Sequence, residues 1–191
     1  PAARATYLEN LAHACAQAPD QGFVIEPINH RDMPGYHLDN QEDARGIIAE
    51  VAAPNLALQL DLYHCQIMQG DLTERIRALA PVTRHVQVAS VPKRQEPDTG
   101  ETDFPYLMRV LDETGYDGWV GCEYRPAGET VAGAAMVGAA SVAGGCRSVA
   151  SPADDAADTV GTGDAAGRHG SLPPRSHGVV HGWEAPVATL A

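Results

Sequence analysis

The chain has 191 residues, 44% of them hydrophobic, which is enough for one domain with a packed core and fewer than the roughly 250 of a complete (β/α)8 barrel. Lys and Arg number 13 against 25 Asp and Glu, and the formal net charge of −12 argues against a nucleic-acid-binding face. With no apolar run near the ~18 residues of a membrane span and no charged start leading into an apolar core, neither a membrane partner nor a secretion signal is expected.

Cys15, Cys65, Cys122 and Cys146 stand singly, without a CxxC pair, so a reduced, cytoplasmic setting is expected. The Pro-Ala-Ala start suggests a chain that begins inside a longer protein. In order, Thr6 to Ala18 places Leu8, Leu11, Ala12 and Cys15 at helical spacing, with Thr6 and Glu9 in the capping-box arrangement. Gly22 to Ile28 reads as a strand buried on both sides, as in a parallel sheet. The polar stretch Asn29 to Asn40 reads as a loop. A second helix follows over Gln41 to Val51, with Ala44, Ile47, Ile48 and Val51 on one face, and Pro54-Asn55 turns the chain into a strand over Leu56 to Asp61. A loop is expected next. Asp71, with Glu74 three residues on, predicts the cap of a helix whose stripe is Leu72, Ile76 and Leu79 and which Pro81 ends. Val82 to Ser90 is the third strand, Val91 to Asp103 a polar lid or binding loop, and Phe104 to Thr114 a helix stopped at Gly115. Trp119 to Glu123 is the fourth strand. Strands alternating with helices imply a parallel α/β arrangement. After about Gly133, Ala, Gly, Ser, Val and Pro dominate and segments such as GTGDAAGRHGSLPPRSHG offer almost no large apolar residues, so residues 134–191 are expected to be a largely disordered tail. Within it, AGAAMVGAASVAG could form a weak helix, and His169, His177 and His181 lack partners at metal-binding spacing.

The chemistry gathers where the apolar runs stop. Each of the four strands ends at or carries a polar group, Glu26, Asp61, Gln87 and Glu123, recurring about every 30 residues, the unit length of a (β/α)8 barrel. One acidic residue ending an apolar run is ordinarily a solvated turn residue; four at this interval converge on one mouth. Three carboxylates and an amide oxygen form a hard donor set suited to Mg²⁺ or Mn²⁺, and a divalent ion would relieve their mutual repulsion. His64, three residues past Asp61, and Arg94, in the long loop, are candidates for substrate contact, Arg94 as an anion clamp.

The runs VIEPINHRDMPGY, QLDLYHCQIMQGD, HVQVASVPKRQEPDTGE and YDGWVGCEYRP, in that order and at family spacing, resemble hydroxypyruvate isomerase and the related 2-oxo-tetronate isomerases, xylose-isomerase-like TIM barrels. The resemblance spans about Tyr7 to Gly133 and corresponds to strands five to eight of that family. It implies a partial (β/α)8 barrel of four parallel βα units over residues 1–133. It also implies that Glu26 and Glu123 are catalytic acid/base residues that contact the metal, that Asp61 and Gln87 are its remaining ligands, and that His64 and Arg94 hold the substrate's oxygens and carboxylate. The implied reaction interconverts hydroxypyruvate and tartronate semialdehyde: one glutamate removes a proton from the hydroxymethyl carbon, the metal and His64 stabilise the enediolate, and the other glutamate protonates the former ketone carbon. The substrate partner is thus a small hydroxy-oxo acid. The family's first four units have no counterpart here, and its last helix is replaced by the tail, as a reading-frame change would produce. A half-barrel is expected to leave two sheet edges open, and a homo-oligomer could complete it. The competing readings are an inactive or partner-dependent fragment, a 2-oxo-tetronate isomerase and a ketose 3-epimerase.

Overall fold

Apolar runs too rich in Leu, Val and Ile to face water build the sheet. The computed structural model describes residues 2–128, 148–150 and 187–190. Strands β1 (Gly22–Ile25), β2 (Leu56–Asp61), β3 (Thr83–Val88) and β4 (Trp119–Cys122) pair in parallel and in chain order. Helices α1 (Ala2–Gln17), α2 (Gln41–Val51), α3 (Leu62–Met68), α4 (Leu72–Leu79) and α5 (Phe104–Glu113) occupy the connections. Phe23, Ile25, Leu56, Leu58, Leu60, Val86, Val88, Val120 and Cys122 project from the sheet into one core with Leu11, Ala44, Ile47, Ile76, Leu79, Val110 and Leu111 of the helices. Because side chains alternate along a strand, Val24, Ala57, Gln59, Asp61, His85, Gln87 and Gly121 belong to the opposite face.

That face is polar towards the strands' C-terminal ends, and the register aligns those ends, with Asp61 beside Gln87 and Gln87 beside Gly121. Gly121 leaves the room His85 needs, since a Cβ there would lie 3.2 Å from its Nε2.

Several expectations are corrected. Helix α1 starts at Ala2, so Thr6 lies inside it and does not cap it; Ala2, Ala3 and Ala5 are strong helix formers, and Arg4 pairs with Glu50 of α2 at 2.6 Å. Ala12 faces outward. Strand β1 stops at Ile25 because Pro27 has no N–H to donate to a ladder. The expected loop after Asp61 is instead helix α3, capped by Asp61 itself, whose Oδ1 accepts from the Tyr63 N–H at 2.8 Å. Asp71 stands at the N-cap of α4 with φ 52° and makes no side-chain capping bond, so the expected capping box is not formed. Strand β3 is shorter than expected at both ends, the 3₁₀ turn Ala80–Val82 preceding it.

Helices α2 and α5 follow their periodicity. Asn40 and Asp103 cap them, accepting from Asp43 N and Tyr106 N, and Gly115 sits just past α5 with φ 75°. The edges expected to be open are paired: β5 (Ser148–Ala150) runs parallel to β4 and β6 (Val187–Leu190) parallel to β1. Both strands fall within the segment expected to be a tail. The remainder of that segment, with the weak helix, Cys146, His169, His177 and His181, lies outside the described residues. Cys15, Cys65 and Cys122 are buried. Among the described residues no helix is long and apolar enough to cross a membrane.

Candidate active site

Glu26 follows the last residue of β1, Asp61 is the last residue of β2, and His64 sits one helical turn beyond Asp61 because α3 starts without a loop. The i, i+3 relation on α3 turns His64 back towards the strand end. These three side chains are buried, and their donor atoms lie within 4.8 Å of one another. His64 Nε2 is 3.5 Å from Asp61 Oδ2 and 3.9 Å from Glu26 Oε1.

Both of those carboxylate oxygens are buried without a hydrogen-bond partner. Burial, then the neighbouring charges of Asp61 and Glu123, pushes the Glu26 carboxyl up to about 8. Burial pushes Asp61 up to about 7, against the pull of Arg94 and the Tyr63 N–H. Burial and the nearby Arg94 charge lower His64 to about 4, so it is neutral at pH 7.

Arg94 is the cation of the cluster. Its Nη2 donates to Glu123 Oε2 at 3.0 Å and lies 3.7 Å from Asp61 Oδ2, while Nη1 lies 3.7 Å from Asp32 Oδ2. Its guanidinium stacks 5.0 Å above the Tyr63 ring. The backbone delivers it there through the left-handed region, at φ 54°. The Arg94 N–H bonds to Ser90 O, and its carbonyl accepts from Arg125 N at 2.7 Å, which ties the loop to the segment after β4. The expected lid is thus a laced set of turns, with Glu96 buried and accepting from Ala127 N.

Of the six residues singled out from sequence, Glu26, Asp61, His64 and Arg94 meet directly. Glu123 is half-exposed and joins through Arg94. Gln87 joins through Gln59, whose Nε2 donates to Gln87 Oε1 at 2.6 Å and which also bonds the Glu26 carboxylate. Sequence reasoning missed Gln59, Asn29, Asp32 and Tyr63. Asn29 is fully buried against His64, and Asp32 accepts from its amide at 3.2 Å. Burial opposes ionisation of Asp32, but the bonds from Asn29 and Tyr63 and the Arg94 charge outweigh it and hold the group below its ordinary range. The available signal was the cluster Asn29, His30, Arg31, Asp32 directly after Glu26.

A hard divalent cation fits this donor set. Two buried carboxylate oxygens without a hydrogen-bond partner lie close together, and Arg94, 3.7 Å from Asp61 Oδ2, supplies only part of the positive charge that ionising both calls for.

Residues 1–139 match the family described as xylose isomerase-like TIM barrel. The chain is 54% identical over 132 residues to 2-oxo-tetronate isomerase of Cupriavidus necator, covering 68% of this chain and 51% of that one. It is 44% identical over 131 residues to hydroxypyruvate isomerase of Escherichia coli, again covering 68% and 51%. The chain therefore spans about half the length of the curated relatives it matches. The crystal structure of an AP endonuclease, family 2, from Brucella melitensis superposes with a TM-score of 0.69 at 48% identity, over 71% of this chain and 54% of that one.

Proposed function

The chain belongs to the xylose isomerase-like TIM barrel family, and on that premise we propose that it carries the proton-transfer machinery of an isomerase acting on a small hydroxy-oxo acid, hydroxypyruvate first among them. The observation that carries this reading is the buried meeting of Glu26, Asp61 and His64 beside Arg94. The names of the two relatives, both isomerases of such acids, support it. The net charge of −12 suits a small substrate better than a nucleic acid.

Moving a carbonyl by one carbon requires proton removal at one carbon, delivery at its neighbour and stabilisation of the enediolate between them. Glu26 and Glu123 are the two proton carriers. In the metal-free site burial raises Glu26 to about 8, and the charge of a bound cation would draw it down from there towards the neutral range that a general acid or base needs. His64 presents Nε2–H to the oxygens that gain charge, and the guanidinium of Arg94 pairs with the substrate carboxylate. Glu26, Asp61, Gln87 and Glu123 would hold a divalent cation, Mg²⁺ or Mn²⁺, whose charge polarises the substrate carbonyl.

A coupled assay of hydroxypyruvate conversion, run with Mg²⁺ or Mn²⁺ and then with chelator, tests the reading. Metal-dependent turnover is expected, and no turnover with either ion would remove the claim that this chain is a competent isomerase. Glu26→Gln and Glu123→Gln should each abolish turnover with little loss of substrate affinity; retained turnover in either would strip that residue of its role.

A further inference from the structure

The protonation pattern of the His64 ring can be read from hydrogen bonds alone. The backbone N–H of Asn29 donates to His64 Nδ1 at 3.2 Å, which favours a lone pair on that nitrogen. A second bond tightens this. Asn29 Nδ2 lies 2.6 Å from the same ring nitrogen. Which end of the Asn29 amide faces the ring is itself fixed, because Oδ1 accepts from the Asp32 backbone N–H at 2.8 Å, leaving the NH₂ end towards His64. Asp32 Oδ2 takes the remaining NH₂ contact at 3.2 Å. The His64 ring and the Asn29 amide are each oriented by a backbone donor that cannot be reversed.

We infer that Asn29 is a positioning residue that locks His64 in the Nε2–H tautomer, making it a hydrogen-bond donor towards the substrate's oxygens and denying its Nε2 lone pair to a cation. Nε2 lies 3.5 Å from Asp61 Oδ2 and 3.9 Å from Glu26 Oε1, the two carboxylate oxygens without a hydrogen-bond partner. Although His64 lies within the same 4.8 Å cluster as the two carboxylates, its protonated nitrogen cannot be a ligand. The cation site is thereby restricted to oxygen donors, and the histidine is reserved for the oxyanion that forms during proton transfer. For that use the inference rests on the isomerase reading; the tautomer itself does not.

The test uses the full 191-residue chain with ¹⁵N-labelled histidine, free of substrate and metal, and records the long-range ring correlations. His64 is assigned by the signals lost in His64→Gln. The expected wild-type pattern is a lone-pair nitrogen at Nδ1 and a protonated one at Nε2. Asn29→Asp replaces the facing donor by an acceptor and should put a proton on Nδ1. Asn29→Ala, which keeps only the backbone donor, should give a measurable fraction of the Nδ1–H form. The signals of the other histidines report whether each variant is folded. A wild-type His64 protonated at Nδ1, or the same wild-type pattern in both folded variants, would overturn the inference. Because neither substrate nor cation is present, a negative result here leaves the isomerase proposal standing, and absent turnover leaves the tautomer standing.

Discussion

Asp61 serves two masters with its two oxygens. Oδ1 caps α3, and Oδ2 is buried without a partner, 3.7 Å from the Arg94 guanidinium. Asp61→Asn keeps an effective capping residue and removes the buried acid, so the metal-free chain should gain roughly 1 kcal/mol while losing its affinity for Mg²⁺ or Mn²⁺. Thermal melts with and without the ion check both halves. The pH dependence has a definite sign. Glu26 and Asp61 are raised from 4.5 and 3.8 to about 8 and about 7, so between those limits the folded state keeps protons that the unfolded chain has released. Stability of the metal-free chain should therefore be greatest near pH 4 and fall towards pH 8, less steeply below pH 6.5, where His64, lowered to about 4, contributes the opposite slope, and urea melts across that window measure it. A stability that rises with pH would contradict the burial of these two acids.

Elements whose local chemistry agrees with their packing were legible beforehand. Strand β2 and helix α2 lie where the apolar run and the 3.6-residue period put them, with Asn40 supplying the cap. Helix α3 was missed because LYHCQIM carries buried Tyr63 and His64 and has no amphipathic stripe; its start is signalled only by Asp61, which the pattern had already claimed as a strand end. Partners brought in from afar left no local trace. Asn55 is one such residue: its buried amide donates to the carbonyls of Cys15, Ala18 and Gln21, fastening the end of α1 to the start of β1, while its own carbonyl accepts from Phe23 N. Asn55→Ala leaves those carbonyls short of donors and should cost about 1–3 kcal/mol, read as a lowered denaturation midpoint with unchanged slope. Gly100 is another. At φ 80°, a Cβ there would clash with the Val91 carbonyl, so Gly100→Ala should loosen the turns that hold Arg94. Weakened substrate-carboxylate affinity with near-normal melting would show it, since the loop lies outside the main core.

On the scale of the whole chain, the pattern of four polar residues, Glu26, Asp61, Gln87 and Glu123, marked one end of the sheet, because parallel strands in register must bring their C-terminal ends together. How the sheet's edges are finished was not legible, since SVA of β5 and VATL of β6 are runs too short to announce strands. The chain spans about half of its relatives, yet the buried acid pair lies wholly within it. Cation binding should therefore stabilise this chain by itself. At an ion concentration about 100 times the Kd, the gain is roughly 2.7 kcal/mol, or a Tm rise of about 5–10 °C for a protein of this size. Chelator should reverse the shift, and a Tm indifferent to both ions would argue against the cation site.

The bond from Asp61 Oδ1 to the Tyr63 N–H also bears on denticity. A carboxylate oxygen that already accepts the helix-start N–H is a weaker second donor, so this position favours a one-oxygen grip on an ion. Calcium, which accepts six to eight ligands and favours two-oxygen carboxylate grips, gains less from such a donor than a smaller octahedral ion does. The turn that begins α3 thus biases this donor towards a small octahedral ion before any ligand is chosen.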